Sequence, residues 1–124
     1  MTGEELVVRA EGAAAHAYAP YSHYLVGASV LAKDGRIFDG VNVENAAYPL
    51  GVCAERTAIS KAASEGLRPG DIDAIGITAS PCGGCRQWLH EWRIAHVYFR
   101  RADGSVAEYE AAALLPDTWN LPDG

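Results

Sequence analysis

Cys53, Glu55, Cys82 and Cys85 are the residues of this chain whose types and spacing can do chemistry. They fall in two short blocks, Cys53-Ala54-Glu55 and Pro81-Cys82-Gly83-Gly84-Cys85, and these blocks hold every cysteine in the protein. Three thiolates can bind Zn²⁺ and leave its fourth position free for water, which is the arrangement of a catalytic site. A carboxylate beside that water can move protons. Together they form a device for hydrolysing a carbon–nitrogen bond. A closed structural site needs a fourth ligand, and none of His16, His23, His90 or His96 stands at a recognisable spacing from the cysteines.

The elements that carry these residues follow from the hydrophobic pattern. Thr2 and Glu5 form a capping-box pair. Leu6, Val7, Ala10, Ala13, Ala14 and Ala17 then recur at helical spacing, so the first helix runs to about Tyr18, and Pro20 ends it. Leu25–Leu31 and Arg36–Val41 flank Lys33-Asp34-Gly35 and predict an antiparallel hairpin. Asn42–Val52 is a loop. A second helix begins near Cys53 and ends at Gly66, with Pro69 beyond it. Ile72–Thr78 is a β-branched strand. A third helix runs from Pro81 to about Trp92, where Trp88 and Trp92, four apart, indicate packing. His96–Arg100 and Val106–Tyr109 are two strands joined by a turn too short for a crossover, hence antiparallel. Glu110–Leu115 is a short last helix. Strands interleaved with helices imply an α/β fold, a three-layer α/β/α sandwich on a five-stranded mixed sheet, in a single domain over residues 1–124.

Cys53 and Glu55 in mid-helix would point about 200° apart. They serve one site only if that site lies off the helix N-terminus, on its axis. Pro81 suits a first helical position, so Cys82 and Cys85 also lie at an N-terminus. A metal would then sit between two helix starts whose N–H groups favour thiolates. Three thiolates leave zinc with excess negative charge, and Arg56 and Arg86, beside Glu55 and Cys85, are candidates to offset it by hydrogen bonds to the thiolates.

The whole-chain numbers narrow the partners. The 124 residues carry a formal charge of −6, with 49% apolar and 21% charged residues. That balance suits a globular chain and argues against a polynucleotide partner, which needs clustered Lys and Arg. The start Thr2-Gly3-Glu4-Glu5 has no basic or apolar character of a signal peptide, and no apolar run approaches the ~20 residues of a membrane span. An odd cysteine count then predicts a reducing, cytoplasmic setting and a metal or catalytic role for the thiols.

The block Cys53-Ala54-Glu55-Arg56-Thr57-Ala58 with Pro81-Cys82-Gly83-Gly84-Cys85-Arg86-Gln87 resembles the small, all-cysteine zinc class of cytidine deaminases. The likeness extends to Pro20-Tyr21-Ser22, Val26-Gly27-Ala28, the run Gly40–Tyr48 and Leu114-Leu115-Pro116. It implies deamination of cytidine and deoxycytidine, with Glu55 taking a proton from the attacking water, passing it to N3 of the ring and then helping to protonate the departing amine. It further implies that Asn42 and Glu44 hold the ribose, and that the Ala54 N–H meets the ring carbonyl. A carbonyl near Ser80–Pro81 would accept from the exocyclic amine. Tyr24 would pack near the base and Trp119 stack on it, with Trp119 coming from a neighbouring subunit in many relatives. The class is typically homotetrameric, which Tyr48 and Trp119 near the site suit. Two departures stand out: only Ala79 and Ser80 separate the Ile72–Thr78 strand from Pro81, where related enzymes carry several more residues, and Trp119 replaces the more usual Phe. The short segment leaves room for a second reading, a deaminase of a modified cytosine nucleoside such as a blasticidin-type antibiotic. A non-catalytic zinc-stabilised binding domain has no use for Glu55. Polynucleotide-editing relatives carry a helix where Arg101–Ser105 here makes a tight turn.

Overall fold

Thr2 and Glu5 close the reciprocal cap expected of them: the Thr2 hydroxyl accepts from the Glu5 N–H at 3.1 Å, and the Glu5 carboxylate accepts from the Thr2 N–H at 3.2 Å. The helix they start, α1, spans Gly3–Ala14 in the computed structural model, which describes residues 1–121. It stops four residues short of Tyr18 because tertiary pairing overrides the helical pattern. The Tyr18 N–H donates to the Asn42 carbonyl at 3.0 Å, and the Tyr18 carbonyl accepts from the Glu44 N–H at 2.9 Å.

The remaining elements are β1 (Gly27–Ala32), β2 (Ile37–Val41), a single 3₁₀ turn (Tyr48–Leu50), α2 (Ala54–Ser64), β3 (Ile72–Ile77), α3 (Gly83–Glu91), β4 (His96–Arg100), β5 (Val106–Tyr109) and α4 (Ala111–Leu114). The five strands form one mixed sheet in the order β2-β1-β3-β4-β5. β3 and β4 are parallel and joined through α3, and the other neighbours are antiparallel, including the predicted β4–β5 pair. The stretch read as loop is partly ordered by a Val43–Val52 bridge and by the 3₁₀ turn.

Alternation along the strands divides the core. Val30, Ile75, Ile77, Val97 and Phe99 share a cluster with Ala58, Ile59 and Ala62 of α2 and Leu89 of α3, while Leu6, Val7 and Ala10 of α1 are buried against the other face. Trp88 and Trp92 pack on the first cluster, as their spacing indicated. On the α1 side, Arg100 binds Glu4 at 3.0 Å and Glu11 at 2.9 Å, tying β4 to the helix.

The glycines set how closely the layers approach. A Cβ at Gly40 would collide with the backbone of Ala54 and Ala58, so β2 lies directly against α2. Gly40→Ala is expected to destabilise the fold by about 3 kcal/mol, the upper part of the usual overpacking range, read as a lower denaturant midpoint at unchanged slope.

Topology gathers the chemistry at one end. α3 begins beyond the C-terminal end of β3. β2 runs in the same direction as β3, being antiparallel to the β1 strand between them, so the segment from Val41 to α2 leaves the sheet at that same end. Both helix N-termini that carry the cysteines therefore stand there.

Candidate metal centre

Cys53 is the N-cap of α2 and Cys82 the N-cap of α3, both with extended backbone. This corrects the expectation for Pro81, which precedes the cap and does not take the first helical position. Glu55 is the second residue of α2, so Cys53 and Glu55 meet off the end of the helix, as their spacing required. Cys85 lies in the first turn of α3 and is fully buried.

The three Sγ atoms lie within 4.8 Å of one another, with Cys53 and Cys82 4.0 Å apart. Tetrahedral zinc with bonds of ~2.3 Å separates its sulfur ligands by about 3.8 Å. The three thiols therefore already stand at the spacing the ion requires, and small side-chain movements close the difference. Burial raises the Cys53 thiol pKa and pushes Cys85 further above the usual thiol range. Burial also opposes ionisation of Cys82, but the backbone N–H and thiol of Cys85 outweigh it and bring Cys82 below its ordinary value.

Glu55 is only 4% exposed, and burial raises its carboxyl above the usual range. A carboxyl so placed is suited to holding a proton and giving it up. Arg56 turns toward the thiols. Burial opposes its charge, but Cys85, followed by Cys53 and Cys82, offsets that and raises its pKa. Its Nε is buried without a hydrogen-bond partner among the described residues. A guanidinium N–H left unpaired beside three sulfurs fits a site built to carry thiolate charge.

Gly84 makes room for this arginine, since a Cβ there would overlap the Arg56 guanidinium. Its identity in the Cys82–Cys85 block was a signal the sequence reading did not use. Gly84→Ala should displace Arg56 and weaken zinc retention by about tenfold or more, the usual cost of losing a group that supports a ligand. Competition with a chelator measures it.

Arg86 does not join the thiols. Its Nε donates to the Pro81 carbonyl at 2.9 Å, Nη1 to the Leu114 carbonyl at 3.1 Å and Nη2 to the Ser80 hydroxyl at 3.1 Å. It brackets the short β3–α3 connection against α4.

The remaining predicted residues are held as follows. The Asn42 amide ties the end of β2 to the segment before β1, with Oδ1 accepting from the Val26 N–H and Nδ2 donating to the Tyr24 carbonyl, both at 2.8 Å. Glu44 accepts from the N–H groups of Tyr21 at 3.0 Å and Ser22 at 3.1 Å, and from the Ser22 hydroxyl. Those bonds, the Ser22 hydroxyl first, hold the Glu44 carboxyl below the usual range. Tyr21 and Ser22, given no role from sequence, are thus what orients Glu44. Tyr21 also meets Tyr48 edge to face at 5.9 Å. Together Tyr21, Ser22, Glu44, Asn45, Tyr48 and Gly51 line a cavity of about 420 Å³. Tyr24, Tyr48 and Trp119 expose most of their rings, and the Trp119 carbonyl accepts from Gln87 of α3 at 3.2 Å. Ala54 opens α2 and is buried.

The family model for the cytidine and deoxycytidylate deaminase zinc-binding region matches residues 1–101. The chain belongs to this family. It is, as such, a zinc-dependent hydrolytic deaminase. It is 42% identical to a cytidine deaminase of Halalkalibacterium halodurans, over 99% of this chain and 98% of that protein. It is 40% identical to one of Sporosarcina psychrophila, over 99% and 95%. Among solved structures, the cytidine deaminase of Burkholderia pseudomallei superposes with a TM-score of 0.90 at 42% identity, covering 96% of this chain and 100% of that one. The Mycobacterium tuberculosis cytidine deaminase gives 0.83 at 34% identity. The five-stranded mixed sheet is that of these deaminases, and the Cys53–Cys82–Cys85 cluster falls where the family has its zinc-binding region.

Proposed function

We propose that this deaminase converts cytidine and deoxycytidine to uridine and deoxyuridine with release of ammonia, as a step in pyrimidine salvage in the cytoplasm, and that residues 1–124 act as one catalytic domain. One observation carries the reading: three thiols and a buried carboxyl, its pKa raised by burial, converge on two helix N-termini. Zinc held by Cys53, Cys82 and Cys85 supplies Lewis-acid activation of the attacking water. Glu55 takes the proton of that water, delivers it to N3 of the ring and then to the departing amine, so water adds to C4 and ammonia leaves.

The other contacts follow from what each group has left to offer. The N–H of Ala54 belongs to the first turn of α2, has no partner within the helix, and meets the ring carbonyl. The Asn42 Nδ2 keeps a second N–H and Glu44 keeps free lone pairs, both suited to ribose hydroxyls. A backbone carbonyl of Ser80 or Pro81, the latter with one lone pair taken by Arg86, accepts from the exocyclic amine. Arg56 offsets the thiolate charge. Tyr24 and Trp119 supply rings for the base, and Tyr48 for the sugar side.

Tyr24 is 60% exposed, Tyr48 74%, Trp119 66% and Leu50 70%. Large apolar side chains left this open would suit an interface where they adjoin one another. They support a homotetramer in which neighbours complete each pocket; symmetric assembly is the usual form for such enzymes. Loss of ultraviolet absorbance on adding cytidine or deoxycytidine tests the activity, and sedimentation of the same sample tests the assembly. A zinc-loaded tetramer that turns over neither nucleoside would overturn the substrate assignment.

A further inference from the structure

Residues 78–82 join β3 to α3 and end at the ligand Cys82. Pro81 within them is buried, yet residues 79–81 make no hydrogen bond to another backbone group among the described residues. The hydrogen bonds they do make come from one side chain. Arg86 donates from Nε to the Pro81 carbonyl at 2.9 Å and from Nη2 to the Ser80 hydroxyl at 3.1 Å. Its third arm, Nη1, reaches the Leu114 carbonyl at 3.1 Å. Leu114 and Ala111 belong to the core cluster, so a single guanidinium ties the connection to a packed helix.

The three acceptors are neutral and sit on different residues, two on the connection and one on α4. A planar fork with donors on three nitrogens can meet all of them at once, whereas the single ammonium of lysine cannot. Removing a guanidinium from water costs free energy, and no carboxylate offsets that cost at Arg86 among the described residues. What the half-buried charge supplies in return is geometry: it fixes the residues on either side of one peptide bond, Ser80 and Pro81.

That bond matters because of where the connection ends. Pro81 is bonded to Cys82, and C4 of the ring faces the open position of the metal that Cys82 helps to hold. The carbonyls of Ser80 and Pro81 are thus poised beside the amine on C4. We propose that Arg86 is a positioning residue for the deamination: by fixing Ser80 and Pro81 it holds the accepting carbonyl where the amine needs it as C4 turns tetrahedral. The inference rests on the nucleoside deaminase reading above. Arg86 does not touch the substrate and acts through the connection alone. As N4 takes the Glu55 proton, its N–H groups become charged donors, and hydrogen bonds from charged donors are the stronger ones. A displaced carbonyl is therefore felt more in the transition state than in the bound ground state.

Arg86→Lys keeps a cation and loses the fork. With zinc still at one ion per chain, its kcat for cytidine is expected to fall about tenfold or more, the worth of one charge-assisted bond, and its KM to rise about threefold at most. The deciding comparison is made by calorimetry on the zinc-loaded Glu55→Gln enzyme with two ligands, cytidine and pyrimidin-2-one riboside, the same nucleoside with hydrogen in place of the amine. Adding Arg86→Lys should raise the dissociation constant of cytidine about threefold and leave that of the amine-free nucleoside unchanged. Ser80→Ala, which removes one acceptor and keeps the guanidinium, should move the ratio of the two constants in the same direction. The proposal is overturned if Arg86→Lys leaves kcat unchanged, or if it weakens both ligands alike, as a merely structural support would. Should Arg86→Lys fail to fold or to hold zinc, an unchanged ratio in Ser80→Ala overturns it. A wild type that leaves cytidine untouched overturns the nucleoside reading and this inference together, whereas cytidine turnover that is indifferent to Arg86→Lys overturns this inference alone.

Discussion

Glu55→Gln is expected to lower kcat for cytidine by on the order of 10⁴-fold while zinc remains bound at one ion per chain. General acid–base groups contribute ~10²–10⁴-fold each, and Glu55 serves both the arriving and the departing proton, so the upper figure applies. Glutamine fills the same volume but cannot carry a proton between the two positions. Stability should move the other way. Glu55 is buried and no ion pair compensates it among the described residues, so its charge is costly to the fold. Its folded pKa lies above the unfolded value, so the wild type loses stability as pH rises from the ordinary carboxylate range toward neutrality. In the zinc-free protein, Glu55→Gln should therefore melt at or above the wild-type temperature at pH 7. The difference should shrink as pH falls through the ordinary carboxylate range and vanish below it, where the carboxyl is protonated in both states. A kcat loss below tenfold would remove Glu55 from the proton path, and a lower Tm at pH 7 would mean that the carboxylate is held by more than burial.

Cys85→Ser should abolish zinc retention and with it turnover, by at least 10³-fold, with metal content per chain and cytidine hydrolysis measured on the same sample. A serine hydroxyl is a far poorer ligand than a thiolate, and two remaining sulfurs do not make a site. The same chemistry gives zinc uptake a proton signature. Burial holds the Cys53 and Cys85 thiols protonated, so loading the zinc-free protein at neutral pH should release at least two protons per ion, read by calorimetry in buffers of different ionisation enthalpy. Affinity should accordingly fall steeply as pH drops. Release of less than one proton would mean that Arg56 and the helix ends already hold the thiols ionised.

The centre was legible from sequence because its logic is local. A two-residue spacing that fails in mid-helix works at an N-terminus, and Cys53 and Glu55 take that placement. Both Thr2 and Glu5 of the capping box, the β1–β2 hairpin and the antiparallel last pair were equally readable, since each depends on residues close in the chain. What depends on distant partners was not. The pattern carries α1 on to Tyr18, but Tyr18 pairs with Val43, twenty-five residues away. Proximity in sequence made Arg86 a candidate for the thiols, yet its donors go to two carbonyls and a hydroxyl on the β3–α3 connection and α4, which no spacing announces. Pro81 is compatible with the first helical position, but the extended Cys82 takes the cap and leaves Pro81 outside. Gly84 could have been read, because Cys82 and Cys85 need only two intervening residues of any kind and a glycine there asks what lies over it.

Both ligand helices begin at a cysteine, where serine, threonine or aspartate would usually stand. Cys53 makes no side-chain bond to its own helix, and Cys82 offers α3 only the weak acceptor of a thiol, toward the Cys85 N–H. The first amides of α2 and α3 therefore depend for their order on whatever draws the sulfurs into place, and zinc stands in for the missing oxygen caps. Local opening at these two helix ends should track metal loading. Amide exchange at Glu55–Thr57 and Gly84–Arg86 should quicken on chelation, while the buried strands β1 and β3 keep their protection.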